Sequence, residues 1–250
     1  MARPAALSRL HLTVFDETAT TAYITPYETP RAARVSALYP FRMPNPLIYL
    51  ASASPRRSAL LTQIGISHRI QPVNVDESIQ PGEPPDAYVT RLARAKAQAL
   101  WDQLGDKLDE RHSAVVLGSD TTVALDGEIL GKPADRADGL AMLGRLSGRT
   151  HQVYTAVALQ YASGQESRLS VSQVTFREIA PTEREAYWET GEPRDKAGGY
   201  AVQGFAAIFI RSIAGSYSGI VGLPLFETAE LLGSAGLISI GMASLVSASA

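Results

Sequence analysis

Two adjacent arginines, Arg56 and Arg57, stand where the sequence predicts the first turn of a helix. Cations in that turn oppose the helix dipole at a cost of about 0.3–1 kcal/mol each. A bound phosphate reverses this preference, because free amides at the helix start, the hydroxyls of Ser52 and Ser54 and two guanidinium groups all donate to anions. The segment therefore predicts a site for a polyphosphate chain, with two solvated arginines on a surface helix as the alternative.

An acidic position interrupts the end of an apolar run. Asp120 follows the run over residues 114–117 at a point where the chain should still lie in a sheet. A carboxylate near a core needs donors, a cation or a metal ion, so Asp120 is predicted to be functional or firmly partnered. Glu77 lies in a predicted loop and taken alone is a solvated residue. Together with Asp120 it would offer the oxygen ligands that Mg²⁺ or Mn²⁺ prefers when bound to a triphosphate.

The dipeptide Asp126-Gly127 predicts a type I′ hairpin turn between two short apolar strands. A regular hairpin places Thr121 opposite Lys132 on one face and Asp120 on the other. A bulge would change that, so a site shared by Asp120 and Lys132 depends on the curvature of the strand. Thr121 either donates to a substrate or simply suits a strand.

A glycine-rich segment, 195–204, contains one lysine, one aromatic ring and one amide: Lys196, Tyr200 and Gln203. Such a loop lets the backbone approach a ligand closely. Tyr200 could pack on a nucleotide base and Gln203 could bind a base edge. The alternative is a turn that leads into a predicted strand over 205–212. Lys96, inside a predicted helix over 86–103, is interpreted from its own position as an exposed helix lysine.

Composition excludes several classes of protein. The chain has 250 residues, 45% of them hydrophobic, so it can form one large core or two lobes. It has no cysteine, four histidines without metal-ligand spacing and a net charge of −2, which argues against a thiol nucleophile, a histidine metal site and nucleic-acid binding. No apolar run is long enough for a membrane span, and no P-loop or dinucleotide fingerprint is present. We expect a cytoplasmic protein.

The hydrophobic pattern alternates strands with helices and predicts a mixed α/β fold. Residues 1–42 are interpreted as an N-terminal extension, disordered or the result of a start assigned too far upstream. Residues 43–233 are predicted to form the domain and 234–250 a flexible tail. The predicted strands are 47–51, 68–73, 114–118, 120–125, 128–131, 152–160, 168–177 and 205–212. The predicted helices are 55–64, 86–103, 135–145, 182–189 and 224–232.

Together these segments resemble the Maf family of nucleoside triphosphate pyrophosphatases, from about Leu47 to about Leu232. The motifs are Ser52-Ala53-Ser54-Pro55-Arg56-Arg57, Val75-Asp76-Glu77, Arg91-Leu92-Ala93 through Lys96-Ala97, Gly118-Ser119-Asp120-Thr121, Gly131-Lys132-Pro133, Ser147-Gly148 with Val153-Tyr154-Thr155, Asp195-Lys196-Ala197-Gly198, and Val221-Gly222-Leu223-Pro224. The resemblance implies a two-lobed mixed-sheet fold related to the inosine triphosphatase (Maf/Ham) group, with a central cleft, and a homodimer.

The resemblance also implies roles for individual residues. It implies hydrolysis of the α–β bond of a nucleoside triphosphate with a divalent cation, Mg²⁺ or Mn²⁺. Asp120 would be the general base and Glu77 would help to hold the metal. Four further residues, Arg56, Lys96, Lys132 and Lys196, would neutralise charge on the phosphates.

Three positions resemble the branch that acts on dTTP and UTP: Arg56, Thr121 and Gln203. An amide such as Gln203 can pair with the O4/N3–H edge that thymine and uracil share. Ser119 departs from the alanine common in that branch, so 7-methyl-GTP hydrolysis is kept as an alternative. A second alternative, from a different class, is a nucleotide-binding regulator of cell division.

Overall fold

The computed structural model describes residues 47–105 and 114–238, so the predicted extension over 1–42 and the end of the predicted tail lie outside the described residues. The strands are β1 (Leu47–Leu50), β2 (His68–Ile70), β3 (Ala114–Leu125), β4 (Glu128–Leu130), β5 (Thr150–Tyr161), β6 (Gly164–Phe176) and β7 (Ile210–Ala214). The helices are α1 (Pro55–Gln63), α2 (Pro85–Leu104), α3 (Arg136–Leu146), α4 (Pro181–Glu189), α5 (Tyr217–Val221) and α6 (Leu225–Ser234).

The described strands form one mixed sheet in the order β2-β1-β3-β5-β6-β7, with β4 paired to β3 outside this path. Strand β1 is parallel to β2 and β3, whereas the other pairs are antiparallel. The predicted mixed α/β fold is therefore confirmed. The hairpin turn is also confirmed, since Asp126 has φ of 54° and Gly127 of 82°, the two positive values that a type I′ turn requires.

Strand β3 changes its partner halfway along. Its pairing with β1 ends at Leu117, and its pairing with β4 begins at Val123. Among the described strands, residues 118–122 pair with β5 alone. The loop after β1 and the loop after β4 both open onto this gap, which is the kind of position where open α/β sheets bind ligands.

Separate hydrophobic cores lie on the two sides of this partner change. In the first lobe, helix α2 covers one face of the sheet, and helices α1 and α6 cover the other. In the second lobe, helices α3 and α4 pack with the far half of β3 around Phe176 and Phe209. The single long strand β3 thus passes through both lobes, and the cleft between them lies at its middle.

Gly118 allows helix α2 to pack directly against β3. A Cβ atom at this position would lie 2.3 Å from the Ala93 carbonyl oxygen and 2.7 Å from the Ala97 amide nitrogen. Backbone atoms at these distances cannot be avoided by a rotamer change. The predicted interruption of the strand between 118 and 120 is therefore wrong: the glycine permits close packing within a continuous β3.

The predicted strand over 205–212 is wrong for its first half. Residues Phe205–Phe209 form a 3₁₀ turn, and strand β7 begins only at Ile210. The reason is a side chain from elsewhere: the Glu192 carboxylate accepts the backbone N–H groups of Phe205 and Ala206. Those donors are then unavailable to a sheet. At the other end of the domain, helix α6 continues to Ser234.

We expect Gly118→Ala to lower the free energy of unfolding by about 1–3 kcal/mol, because the added methyl group forces α2 away from β3. Urea denaturation followed by circular dichroism measures this change. The matched control is Gly233→Ala at an exposed position of helix α6, where nothing lies within 4 Å of the new Cβ. That variant should be neutral or slightly more stable. Equal stability of the two variants would contradict the close-packing argument.

Candidate active site

Asp120 lies in the stretch of β3 that pairs with β5 alone, and it contacts a buried lysine. Its Oδ1 accepts a hydrogen bond from Lys96 Nζ at 2.7 Å, and the same nitrogen lies 2.6 Å from Glu77 Oε1. Glu77 Oε2 in turn lies 4.0 Å from Lys132 Nζ. The four side chains form a continuous row of alternating charge. Lys96 is only 8% exposed, so its interpretation as an exposed helix lysine is wrong.

Burial and the neighbouring charges together shift the pKa values of the two carboxyl groups in opposite directions. Burial raises the pKa of Asp120, although the charges of Lys96 and Arg57 partly oppose the increase. Burial also disfavours ionised Glu77, but the Lys96 hydrogen bond and the charges of Lys96 and Lys132 outweigh it and lower the pKa. Burial therefore makes Asp120 a stronger base than a solvated aspartate, whereas the cations make Glu77 a weaker base than a solvated glutamate.

The hairpin does not pair Thr121 with Lys132. The β3–β4 ladder begins at Val123 and Leu130, so Lys132 follows the strand and approaches the row of charges through Glu77. Asp120 contacts helix α2, whereas the Thr121 hydroxyl contacts Arg57. Asp120, Thr121 and Lys132 nevertheless line the same cavity, because residues 118–122 of β3 have no second neighbouring strand among the described residues. The structure thus brings Asp120 and Lys132 to one site.

Arg57 ties the loop after β1 to the rest of the site. Its Nε donates to the Gly222 carbonyl at 2.7 Å, and its terminal nitrogens donate to Ser52 Oγ at 3.1 Å and Thr121 Oγ1 at 3.3 Å. Burial lowers the pKa of Arg57, and the charge of Asp120 opposes that effect. These partners are protein groups, which makes Arg57 an anchor for the loop.

Arg56 points into the cavity and has no polar partner among the described residues. Ser54 occupies the position before α1, as predicted, but its side chain makes no capping bond. Its N–H donates instead to Ser52 Oγ at 3.2 Å. The Ser54 hydroxyl and the Arg56 guanidinium group therefore remain available to an anion, whereas Ser52 already holds the loop.

The glycine-rich segment contributes Lys196 and Gln203 from the second lobe. Lys196 Nζ donates to Asp195 Oδ1 at 2.5 Å and to the Glu192 carbonyl at 2.9 Å. Gln203 is exposed and lines the cavity. Tyr200 does not offer its ring to a base: it is 5% exposed, and its hydroxyl is 2.8 Å from His151 Nε2 in the core.

The sequence did not predict roles for two residues of the site, Tyr88 and Gly222. The Tyr88 hydroxyl donates to the Glu77 carbonyl at 2.9 Å and thereby fixes the loop that carries this acid. Tyr88 and Lys96 are eight residues apart on one helix, so they lie on the same face. This spacing indicates that Tyr88 lies near the site once Lys96 is placed there. Gly222, with φ of 132°, presents its carbonyl to Arg57. Gly222 belongs to the motif Val221-Gly222-Leu223-Pro224, which marks the position without giving it a role.

The cavity between the lobes has a volume of about 1040 Å³, within reach of a nucleotide and its phosphates. It is lined by more cations than acids, which favours an anionic ligand although the whole chain carries a net charge of −2. The cations are Arg56, Arg57, Lys96, Lys132 and Lys196, and the acids are Glu77, Asp120 and Asp195. The predicted site residues Ser52, Ser54, Thr121 and Gln203 line the same cavity.

An α/β fold with a cleft that holds a buried carboxylate and five cations is typical of a protein that binds a phosphorylated ligand, and comparisons specify the family. The family described as "Maf-like protein" matches residues 47–235. The chain therefore belongs to the Maf family.

The chain aligns with curated relatives over most of the length of each relative. A protein of Alkalilimnicola ehrlichii named dTTP/UTP pyrophosphatase is 53% identical over 187 residues, 75% of this chain and 92% of the relative. Proteins with the same name from Aromatoleum aromaticum and Nitrosomonas europaea are each 52% identical over 198 residues, 76% of this chain and 95% of each relative.

A solved structure, the Ham1 protein of Staphylococcus aureus, aligns with a TM-score of 0.34 at 17% identity over 54% of this chain and 72% of that chain. No helix of the described residues is both long and apolar enough to cross a membrane.

We expect alanine substitutions of the two adjacent arginines to differ in their effects on stability and on triphosphate binding. Arg57→Ala should lower the free energy of unfolding by about 1.5–3 kcal/mol, because it leaves three acceptors without a charged donor. Arg56→Ala should change stability by less than about 0.5 kcal/mol but weaken triphosphate binding by about 1.5–3 kcal/mol. Thermal denaturation and calorimetric titration with a triphosphate measure the two effects. Similar losses of stability in both variants would contradict this division.

Proposed function

We propose that the chain hydrolyses dTTP and UTP to the nucleoside monophosphate and pyrophosphate. The observation that carries the proposal is the buried carboxylate of Asp120, held by Lys96 at the base of a cation-lined cavity. The names of the Maf relatives at 52–53% identity support the substrate pair.

Asp120 acts as the general base in this proposal. Burial raises its pKa, which makes its ionised form a better proton acceptor from an attacking water than a solvated aspartate. Lys96 stabilises the ionised form and, with Arg56, Lys132 and Lys196, offsets negative charge on the phosphates. The reaction then depends mainly on electrostatic positioning, as in other phosphoryl transfers.

The carboxylates suit a divalent cation, Mg²⁺ or Mn²⁺. Glu77 and Asp120 both contact Lys96 Nζ, so two oxygen donors lie side by side, and the Glu77 side chain is 44% exposed. No group of three or more potential ligands exists among the described residues, so substrate oxygens and water must complete the coordination. When bound, the cation would neutralise phosphate charge and polarise the bond that breaks.

Selection of the base is assigned to Gln203, together with Arg56 and Thr121. The Gln203 amide is exposed at the cavity and can match the donor and acceptor edge of thymine and uracil. Ser119, which left 7-methyl-GTP open, is fully buried, and its hydroxyl donates to the carbonyls of Ala156 and Gly222. Ser119 does not line the cavity, so it would not contact a base directly.

We further propose a cytoplasmic homodimer, on the strength of the family resemblance. Light scattering coupled to size-exclusion chromatography tests the assembly. A monomer at micromolar concentration would refute it.

The substrate proposal is tested with a panel of nucleotides in Mg²⁺ and in Mn²⁺, scored for monophosphate and pyrophosphate. We expect dTTP and UTP to be cleaved with the highest kcat/KM and activity to disappear with a chelator. Faster cleavage of 7-methyl-GTP, or release of inorganic phosphate alone, would refute the proposal.

Asp120→Asn should lower kcat by about 10²–10⁴ without unfolding the protein, as expected when a general base is removed. Asp102→Asn, at an exposed position of α2, is the matched control and should keep full activity, because an amide oxygen can still accept the Gln98 hydrogen bond. If hydrolysis were lost while an effect on cell division persisted, nucleotide binding would be the function instead.

Lys96→Met should move the acidic limb of the kcat/KM profile to higher pH. Lys96 lowers the pKa of Asp120 against the effect of burial, so its removal raises that pKa and the base ionises later. Lys96→Arg keeps the charge and should leave the limb nearly in place. Arg145→Met, at a surface pair with Glu128, controls for loss of a cation elsewhere. An unshifted limb in Lys96→Met would argue against Asp120 as the titrating base.

A further inference from the structure

The Glu192 carboxylate gathers donors from two separate segments of the second lobe. Its Oε1 accepts the Tyr187 hydroxyl at 2.6 Å and the Ala206 N–H at 3.3 Å, and its Oε2 accepts the Phe205 N–H at 2.9 Å. Glu192 begins a 3₁₀ turn, Glu192–Asp195, next to helix α4. One acid thus joins α4 to the segment that follows Gln203.

The two backbone donors belong to the start of the turn Phe205–Phe209. Free N–H groups at the start of a helical turn need an acceptor, and a carboxylate is a strong one. Gly204 makes the approach possible, since a Cβ there would lie 2.0 Å from Glu192 Oε2. Gln203 immediately precedes this fixed point.

The other side of Gln203 is fixed independently. Tyr200 is buried, and its ring meets Phe176 edge to face at a centroid distance of 4.9 Å. Its hydroxyl bonds His151, whose pKa burial lowers to about 4, so the imidazole is neutral at pH 7. The exposed Gln203 side chain therefore extends from a short segment anchored at both ends.

Glu192 also holds the other substrate-facing group of this lobe. Its backbone carbonyl accepts a hydrogen bond from Lys196 Nζ at 2.9 Å. The side chain of Glu192 fixes the position of the Gln203 backbone, and its main chain fixes the Lys196 ammonium. A single residue thereby sets the spacing between a base-contacting amide and a phosphate-contacting cation.

We infer that Glu192 is a positioning residue for base selection: by capping the turn after Gln203 it sets where the amide meets the base relative to where Lys196 meets the phosphates. The inference rests on the proposed function. Glu192 does not line the cavity, so it acts through these two neighbours. Selectivity by hydrogen bonding requires that the protein partner stay in place, because a mobile amide accommodates competing bases.

The test compares kcat/KM for dTTP with kcat/KM for dCTP and dGTP in the full chain. Glu192→Gln keeps the shape but weakens the cap, and Gly204→Ala displaces the carboxylate from the opposite side by moving a flexible side-chain end. In both variants we expect the preference for dTTP to fall by about tenfold, the scale of losing part of a polar recognition site. The KM for dTTP should rise while kcat stays within about twofold, because Asp120 and Lys96 are untouched.

Hydrogen exchange at the Phe205 and Ala206 amides tests the cap without substrate, and both amides should exchange faster in the two variants. Glu189→Gln is the matched control, since that side chain is 67% exposed and pairs only loosely with Arg136 at 3.4 Å. It should leave selectivity and exchange unchanged.

Two failures are distinguishable. A wild-type chain that does not cleave dTTP refutes the proposed function, and the inference with it. If the wild type prefers dTTP and both variants keep that preference while only the melting temperature falls, the inference alone is overturned, and Glu192 is a structural cap.

Discussion

The site depends on the burial of one negative charge. Asp120 is 7% exposed, and an isolated carboxylate at such a position would be neutralised by desolvation. Lys96 makes ionisation tolerable, yet Lys96 is itself buried and cannot be left without an acid. Removal of Lys96 would leave Asp120 without its hydrogen-bonding cation, whereas removal of Asp120 would leave Glu77 to pair with Lys96. The surrounding architecture keeps these two atoms 2.7 Å apart.

Several features of the fold keep Lys96 within hydrogen-bonding distance of Asp120. Gly118 brings the backbone of α2 against β3, and Lys96 lies on the turn of α2 that this contact fixes. Tyr88, two turns earlier on the same helix, holds the loop of Glu77 so that the second carboxylate reaches the same ammonium. The partner change of β3 then exposes this buried row to the cleft. A regular sheet with a strand beside residues 118–122 would have covered it.

The sequence predicts the parts of this arrangement that are local. Alternating hydrophobic pattern, capping residues and the Asp126-Gly127 turn suffice for most elements, and an acid after an apolar strand is enough to single out Asp120. The failures have a common cause, which is contact between distant segments. Phe205 to Phe209 have the composition of a strand, but Glu192 takes their donors. The sequence around Lys96 is that of an ordinary surface helix, and the packing of α2 on β3 buries this lysine.

The same distinction explains why two adjacent arginines differ. Arg56 and Arg57 are equivalent in the sequence, since both stand in the first turn of α1. In the folded chain Arg57 donates to three protein acceptors, whereas Arg56 faces the cavity. Arg57 joins the β1 loop to Gly222 and Thr121, and its own donors are already paired with protein acceptors. In the proposed function, an anion that enters the cleft meets Arg56 and Lys132 and leaves the contacts of Arg57 in place. In that proposal, different side chains carry the charge that binds the ligand and the charge that holds the loop, so a polyphosphate can enter and leave while Asp120 and Lys96 keep their contact.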